Sequence, residues 1–140
     1  MIAYVDASVI LRKLFGQPRA LREWRLIREA VGSALVELEC LRTIDRLRLV
    51  ERVSEEETAR RRAAVYTLIQ SFELMYPTRV ILDRAALPMT TAIGSLDAVH
   101  LATALVWQER TGKRLVMATH DEGLGAAARA IGMRVVGCAR

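Results

Sequence analysis

Short apolar runs alternate with stretches of helical spacing along most of the chain. Ile2 to Val5 is apolar and long enough for a buried strand, and it ends at Asp6-Ala7-Ser8. Val9, Ile10, Leu11 and Leu14 then suggest a helix. Pro18 fits the first turn of a second helix, whose face would be Ala20, Trp24, Ile27 and Val31, with Gly32 as its stop. Ser33-Ala34-Leu35 reads equally as a strand or as the start of the next helix. Leu35, Leu38, Leu41, Ile44 and Leu47 mark one helical face up to about Leu49. Ser54 and Glu57 form a capping box that opens a helix with Val65, Leu68, Ile69 and Phe72 on its buried side. Arg60-Arg61-Arg62 reads as its solvated face.

The second half repeats the pattern. Glu73 to Pro77 is a break that has room for a small strand, and Thr78 to Leu87 is helix-like, closed by Pro88. Ser95 is a candidate cap for a helix from about Leu96 to Arg110, with Ala98, Leu101, Ala102 and Leu105 inside, ended by Thr111-Gly112. Leu115 to Ala118 reads as a buried strand. Leu124, Ala127, Ala128 and Ile131 mark a last helix, and Gly132 turns into a final strand, Met133 to Val136. Short apolar strands alternating with amphipathic helices predict an α/β fold, a short parallel β-sheet flanked by helices on both faces. At 140 residues the expectation is a single domain, 1–140.

Composition narrows the class. Hydrophobic residues are 52% and charged residues 26% of the chain, which excludes disorder as the main state. No apolar run approaches the ~18 residues that span a bilayer, and Met1 leads into the first strand without a signal-peptide pattern. A cytoplasmic protein with no membrane partner is expected. Cys40 and Cys138 lie far apart and outside any CxxC pair, so reduced thiols are expected, with Cys40 as a small core side chain. The net charge is +5, and nineteen of twenty-one cations are arginine. Guanidinium groups suit phosphates, but with only 5% aromatics a stacking platform for single strands is not in view.

The acids carry the chemistry. In open parallel sheets ligands bind beyond the carboxyl ends of the strands, where Asp6 and Asp121 fall. Asp97 lies in the first turn of a largely apolar helix, and Glu39 sits beside the apolar stripe of another. Each has a structural role open to it: a turn at Asp6, a dipole interaction at Asp97, a helix cap at Asp121, and a same-helix pair with Arg42 or Thr43 at Glu39. Jointly they point to a site. Converging carboxylates repel and raise one another's pKa values, and a hard divalent cation with oxygen ligands relieves this. Four acids and few histidines favour Mg2+ or Mn2+ over zinc.

These residues carry a resemblance. Tyr4-Val5-Asp6-Ala7-Ser8, Ser33 to Arg42 with Glu39, Leu96-Asp97-Ala98-Val99-His100-Leu101-Ala102-Thr103-Ala104 and Ala118-Thr119-His120-Asp121 occur in this order over essentially the whole chain. The sequence resembles the PIN-domain ribonucleases, in particular the VapC-type toxins of type II toxin–antitoxin pairs. The resemblance implies a PIN-like domain and a metal-dependent endoribonuclease with Asp6, Glu39, Asp97 and Asp121 as the catalytic, metal-holding quartet. Glu39 rather than Glu37 fits the family's spacing from Ser33 and Arg42. Ser8 and Thr119 match supporting hydroxyl positions. His100 and His120 match no metal-ligand position, and His100 is expected to be a packed helical histidine. The resemblance further implies an RNA substrate, a cognate antitoxin and a homodimer.

Two other acidic folds fit less well. A phosphoacceptor receiver would need an acidic pair after the first strand and a lysine after a late one, but Asp6 has no acidic neighbour and the only lysines are Lys13 and Lys113. A DxD phosphatase would need aspartate where Ser8 stands. The alternative that remains is a catalytically inert PIN-like module binding RNA or protein.

Overall fold

The computed structural model describes residues 1–138. Five parallel strands form one sheet in the order β3-β2-β1-β4-β5. They are β1 (Ile2–Val5), β2 (Glu29–Ser33), β3 (Glu73–Met75), β4 (Val116–Ala118) and β5 (Arg134–Val136). Between them run α1 (Ala7–Leu14), a short 3-10 turn (Arg22–Leu26), α2 (Leu35–Val50), α3 (Glu55–Ile69), α4 (Arg79–Ala85), α5 (Ser95–Thr111) and α6 (Glu122–Ala130). Residues 139–140 of the expected 1–140 domain lie outside the described residues.

Side-chain alternation on β1 separates two cores. Ala3 and Val5 face one layer, with Val9 and Ile10 of α1, Cys40 and Ile44 of α2, and Val65 and Ile69 of α3. Tyr4 faces the other, with Leu101, Ala104 and Trp107 of α5 and Leu124 and Ala128 of α6. Helices therefore cover both faces, as expected. Helix α4 packs outside α5 through Ile81 against Ala102 and Val106. Strand order reverses direction at β1, so the crevice between the ends of β1 and β4 is the topological switch point.

Four local expectations need correction. The helix expected through Val31 is absent: only the 3-10 turn forms, and Val31 lies in β2 beside Tyr4. A short apolar run satisfies either period, and the parallel ladder on β1 takes these residues. On α2 the buried positions are Val36, Cys40 and Ile44, whereas Leu38 is 56% exposed. The leucine stripe was thus rotated away from the true core face. Ser95 is the first helical residue of α5, and Gly94 occupies the cap without a side-chain bond. Leu105 on this helix is only half-buried, because contact with both α4 and the sheet buries most other sides of α5. The cap at Ser54 holds, its hydroxyl accepting from the Glu57 amide, although Glu57 itself turns to Arg60 and Arg61.

Two glycines after β5's neighbours have different constraints. Gly137 has φ +99°, and an added Cβ would lie 2.4 Å from the Thr119 carbonyl oxygen; Gly132 has φ +82° but open space around it. Gly137→Ala is expected to destabilise the fold by ~2–3 kcal/mol, through strain and clash together. Gly132→Ala should cost only ~1 kcal/mol. Urea denaturation of the two variants, compared with the parent, checks the difference.

Candidate functional site

The acids arrive on four separate segments at the carboxyl edge of the sheet. Asp6 follows β1 and caps α1, while its backbone N–H donates to Ala118 O at the end of β4. Its Oδ2 accepts from the Ser8 amide, the Ser8 hydroxyl and the Thr119 hydroxyl, the last at 3.0 Å. Thr119 Oγ1 in turn accepts from the Asp121 amide at 2.9 Å, and Ser8 Oγ accepts from the His120 amide at 3.0 Å. The two hydroxyls thus tie the β1 and β4 turns together. Asp121 caps α6, its Oδ1 accepting from the Leu124 amide at 2.8 Å.

Glu39 reaches the site from α2. Its Oε2 lies 2.8 Å from His100 Nε2 on α5, while His100 Nδ1 lies 2.7 Å from the Tyr4 hydroxyl. The Ser33 amide donates to the same hydroxyl at 3.2 Å. With a neutral ring the directions close consistently: Ser33 N–H to Tyr4, Tyr4 O–H to Nδ1, and Nε2–H to Glu39. This chain connects β2, β1, α5 and α2, and fixes one Glu39 oxygen. His100 is packed, as expected, at 1% exposure, but it also positions Glu39. Its ring nitrogen lies within 4.8 Å of ligand oxygens on Asp6 and Glu39. Both ring nitrogens already have hydrogen-bond partners, so the ring supports the cluster. The sequence signal for this role was the i, i+3 spacing from Asp97, which puts both side chains on one side of α5.

Asp97 is half-buried in the first turn of α5. Burial raises its carboxyl above the ordinary range, and the charges of Asp121, Asp6 and Glu39 push it further, against a smaller opposing effect of His100. Asp97 therefore lies within electrostatic reach of the other three acids, while among the described residues the ligand atoms that come within 4.8 Å of one another are those of Asp6, Glu39 and His100, without Asp97 or Asp121. The same field acts on neighbours. Burial, then Glu39 and Asp6, pushes the Cys40 thiol up to about 12. Burial, then Asp6, raises the Tyr4 phenol well above its usual value. For His100, burial disfavours the charge, but the Glu39 hydrogen bond and the surrounding carboxylates outweigh it and raise the pKa. The Cys40 thiol and the Tyr4 phenol therefore stay protonated at neutral pH, and Cys40 is inert, as its core placement suggests.

The structural roles open to Asp6 and Asp121 are both realised, as caps. Neither excludes the site, because each cap uses one oxygen: Oδ2 of Asp6, Oδ1 of Asp121, and Oε2 of Glu39 in its bond to His100. The second oxygen of each is left for a ligand. Glu39 makes no pair with Arg42, which turns to Asp45. Among the described residues no lysine or arginine forms an ion pair with Asp6, Glu39, Asp97 or Asp121. Partly buried carboxylates without a cationic side chain form a hard-oxygen donor set that a divalent ion fits.

Two stability measurements test this geometry. Tyr4→Phe removes a hydroxyl that serves two buried groups, and should cost ~1–3 kcal/mol in urea denaturation. Asp97 binds its proton more tightly in the folded state than in the unfolded one. Its penalty is absent below the ordinary carboxylate pKa of ~4 and grows as the pH rises through the raised value. In EDTA, Asp97→Asn should therefore raise Tm at neutral pH and give no gain near about pH 3. An unchanged Tm at neutral pH would argue against the crowding.

Comparison with known proteins agrees with this arrangement. The PIN domain family model matches residues 3–130. Ribonuclease VapC46 of Mycobacterium tuberculosis (strain ATCC 25618 / H37Rv) is 31% identical over 137 residues, covering 95% of each chain. In the crystal structure of FitAcB from Neisseria gonorrhoeae, a chain superposes with a TM-score of 0.70 at 18% identity, over 96% of both chains. A toxin–antitoxin complex from Klebsiella pneumoniae gives 0.67 at 15% identity, over 99% of this chain and 96% of that one. At such identities the structural likenesses speak for the fold, while the family match and VapC46 extend over most of the sequence. Sheet order, the acids at its carboxyl edge and the shared sequence lead to one assignment: the chain belongs to the PIN domain family.

Proposed function

We propose that this protein is a divalent-metal-dependent endoribonuclease, the toxin of a toxin–antitoxin pair, formed by one domain over residues 1–140. The observation that carries the reading is the cluster of Asp6 and Glu39 beside His100, with Asp97 in electrostatic reach of both and of Asp121, and with no lysine or arginine among the described residues paired to any of the four acids. Asp6, Glu39 and Asp97 would hold a Mg2+ or Mn2+ ion through oxygens not engaged in structural bonds. A bound ion of this kind lowers the pKa of water and polarises a phosphodiester. Asp121, the most exposed of the four, either completes a second ion site or orients the attacking water. Ser8 and Thr119 hold Asp6 in one rotamer, and His100 does the same for Glu39. Water adds to phosphorus in line with the 3′ oxygen, and the P–O3′ bond breaks to leave a 5′-phosphate and a 3′-hydroxyl.

VapC46 is named a ribonuclease, and the Klebsiella protein was solved in a toxin–antitoxin complex. On that likeness the partners are an RNA substrate and a cognate antitoxin; a second copy in a homodimer is implied by the sequence resemblance alone. No helix among the described residues is long and apolar enough to cross a membrane.

Cleavage of a labelled single-stranded RNA should require Mg2+ or Mn2+ and stop in EDTA. Asp97→Asn, with the fold retained, should lower the rate at least about a hundredfold, the scale of losing a group that acts in the transition state. Full activity in rigorously purified Asp97→Asn protein would overturn the assignment. RNA binding without metal-dependent cleavage by the parent would return the inert-module alternative.

A further inference from the structure

The acids repel a polyanion, so RNA must be attracted elsewhere, and several of the arginines are already paired. Arg42 and Arg48 pair with Asp45, Arg60 and Arg61 with Glu56 and Glu57, Arg79 with Asp83, and Arg84 with Glu109. Along the free edge of β5 the situation differs. Three cavities follow one another there. The outermost includes Arg114 and Arg134, the middle one Arg134 and Glu23, and the innermost Glu23, Arg22 and Arg19. The outer pair shares Met133 and Arg134, and the inner pair shares Glu23, Gly137 and Cys138, so the three form one groove. Arg19, Arg22, Arg114 and Arg134 are all exposed and form no ion pair among the described residues. Arg129, which has a partner, also lines the middle cavity, and Glu23 is the one carboxylate that lines the groove.

The groove ends at the turn that carries Asp121, although none of the four acids lines its cavities. At its inner end Cys138 Sγ donates to the carbonyls of Thr119 and Asp121, at 3.1 and 3.2 Å, so its wall is the turn that carries Asp121. His120, in the same turn, lines the innermost cavity, and its Nδ1–H donates to Gly137 O at 2.8 Å. From Arg134 to Cys138 the edge spans roughly 13 Å of near-extended chain.

We propose that the groove along the β5 edge is the track for the RNA backbone next to the cleavage site, with Arg22 and Arg134 as phosphate contacts and Arg19 and Arg114 extending it at either end. This rests on the nuclease reading for its orientation toward the acids. Unpaired guanidiniums spaced along an open channel match a chain of phosphates, one charge to each. A peptide strand adding to the edge is the poorer fit, because β5 offers only three residues of ladder and the groove's charge would be left unmet.

Binding separates this proposal from the function it rests on. The full chain in EDTA, where RNA stays intact, is titrated with a short labelled single-stranded RNA at several salt concentrations. Arg22→Ala combined with Arg134→Ala should weaken binding at least about tenfold at low salt. It should also flatten the log–log salt slope by roughly 1.4, about 0.7 for each lost phosphate contact. The control pair Arg52→Ala with Arg62→Ala, on segments that line none of the three cavities, should leave both unchanged. Equal losses in the two pairs would show that only net charge matters, and would overturn the groove. Unchanged RNA binding in the groove variant overturns it as well, including the case where that variant instead loses self-association or a protein partner. Loss confined to the groove variant supports the track even if the parent proves unable to cleave, and that result would count against the nuclease reading alone.

Discussion

Asp6 has to satisfy two demands at one position. As the residue that ends the central strand it caps α1 and joins β1 to β4, and these tasks hold its carboxylate in place. As a member of the acidic group, the same carboxylate must keep an oxygen outside those bonds. The conflict is resolved by division of labour between oxygens. One oxygen takes three hydrogen bonds from Ser8 and Thr119. The other lies outside these bonds. Glu39 and Asp121 repeat the arrangement with His100 and the α6 amide. Each of the three carboxylates is thus fixed through one oxygen.

This explains why much of the site was legible in the sequence. Asp6 and Asp121 stand directly after apolar runs, and a strand end in a parallel sheet is a place rather than a contact, so position alone locates them. Glu39 was harder. Its distance from the apolar stripe was read from Leu35, Leu38 and Leu41, but the stripe that packs is Val36, Cys40 and Ile44. The glutamate was identified by family spacing rather than by periodicity. Val31 shows the same limit from the other side, since a spacing that fits a helix also fits a strand once a neighbouring strand supplies the ladder. The link from Tyr4 through His100 to Glu39 was not legible, because it joins residues 96 and 61 positions apart. Only the fold defines those neighbours.

The basic character of the chain takes on a different meaning in the structure. A net charge of +5 describes no surface. Helical arginines next to glutamates and aspartates stabilise their own helices by a few tenths of a kcal/mol each and are largely neutralised locally. Of the arginines in no ion pair among the described residues, Arg19, Arg22, Arg114 and Arg134 line one continuous groove with a single carboxylate, Glu23, among its described lining residues. Arginine content alone overstates the surface available to a polyanion, and the pairing pattern is the better guide.

The bond from Thr119 to Asp6 joins residues 113 positions apart, and parallel β1–β4 pairing has the same reach. During synthesis, β1 emerges first but has no β4 beside it, and the turn that orders Asp6 does not yet exist. A chain still being translated therefore lacks the Asp6–Thr119 bond, however much of its amino-terminal half has collapsed. The acidic group is assembled only once β4 and the turn with Asp121 have been delivered, late in synthesis.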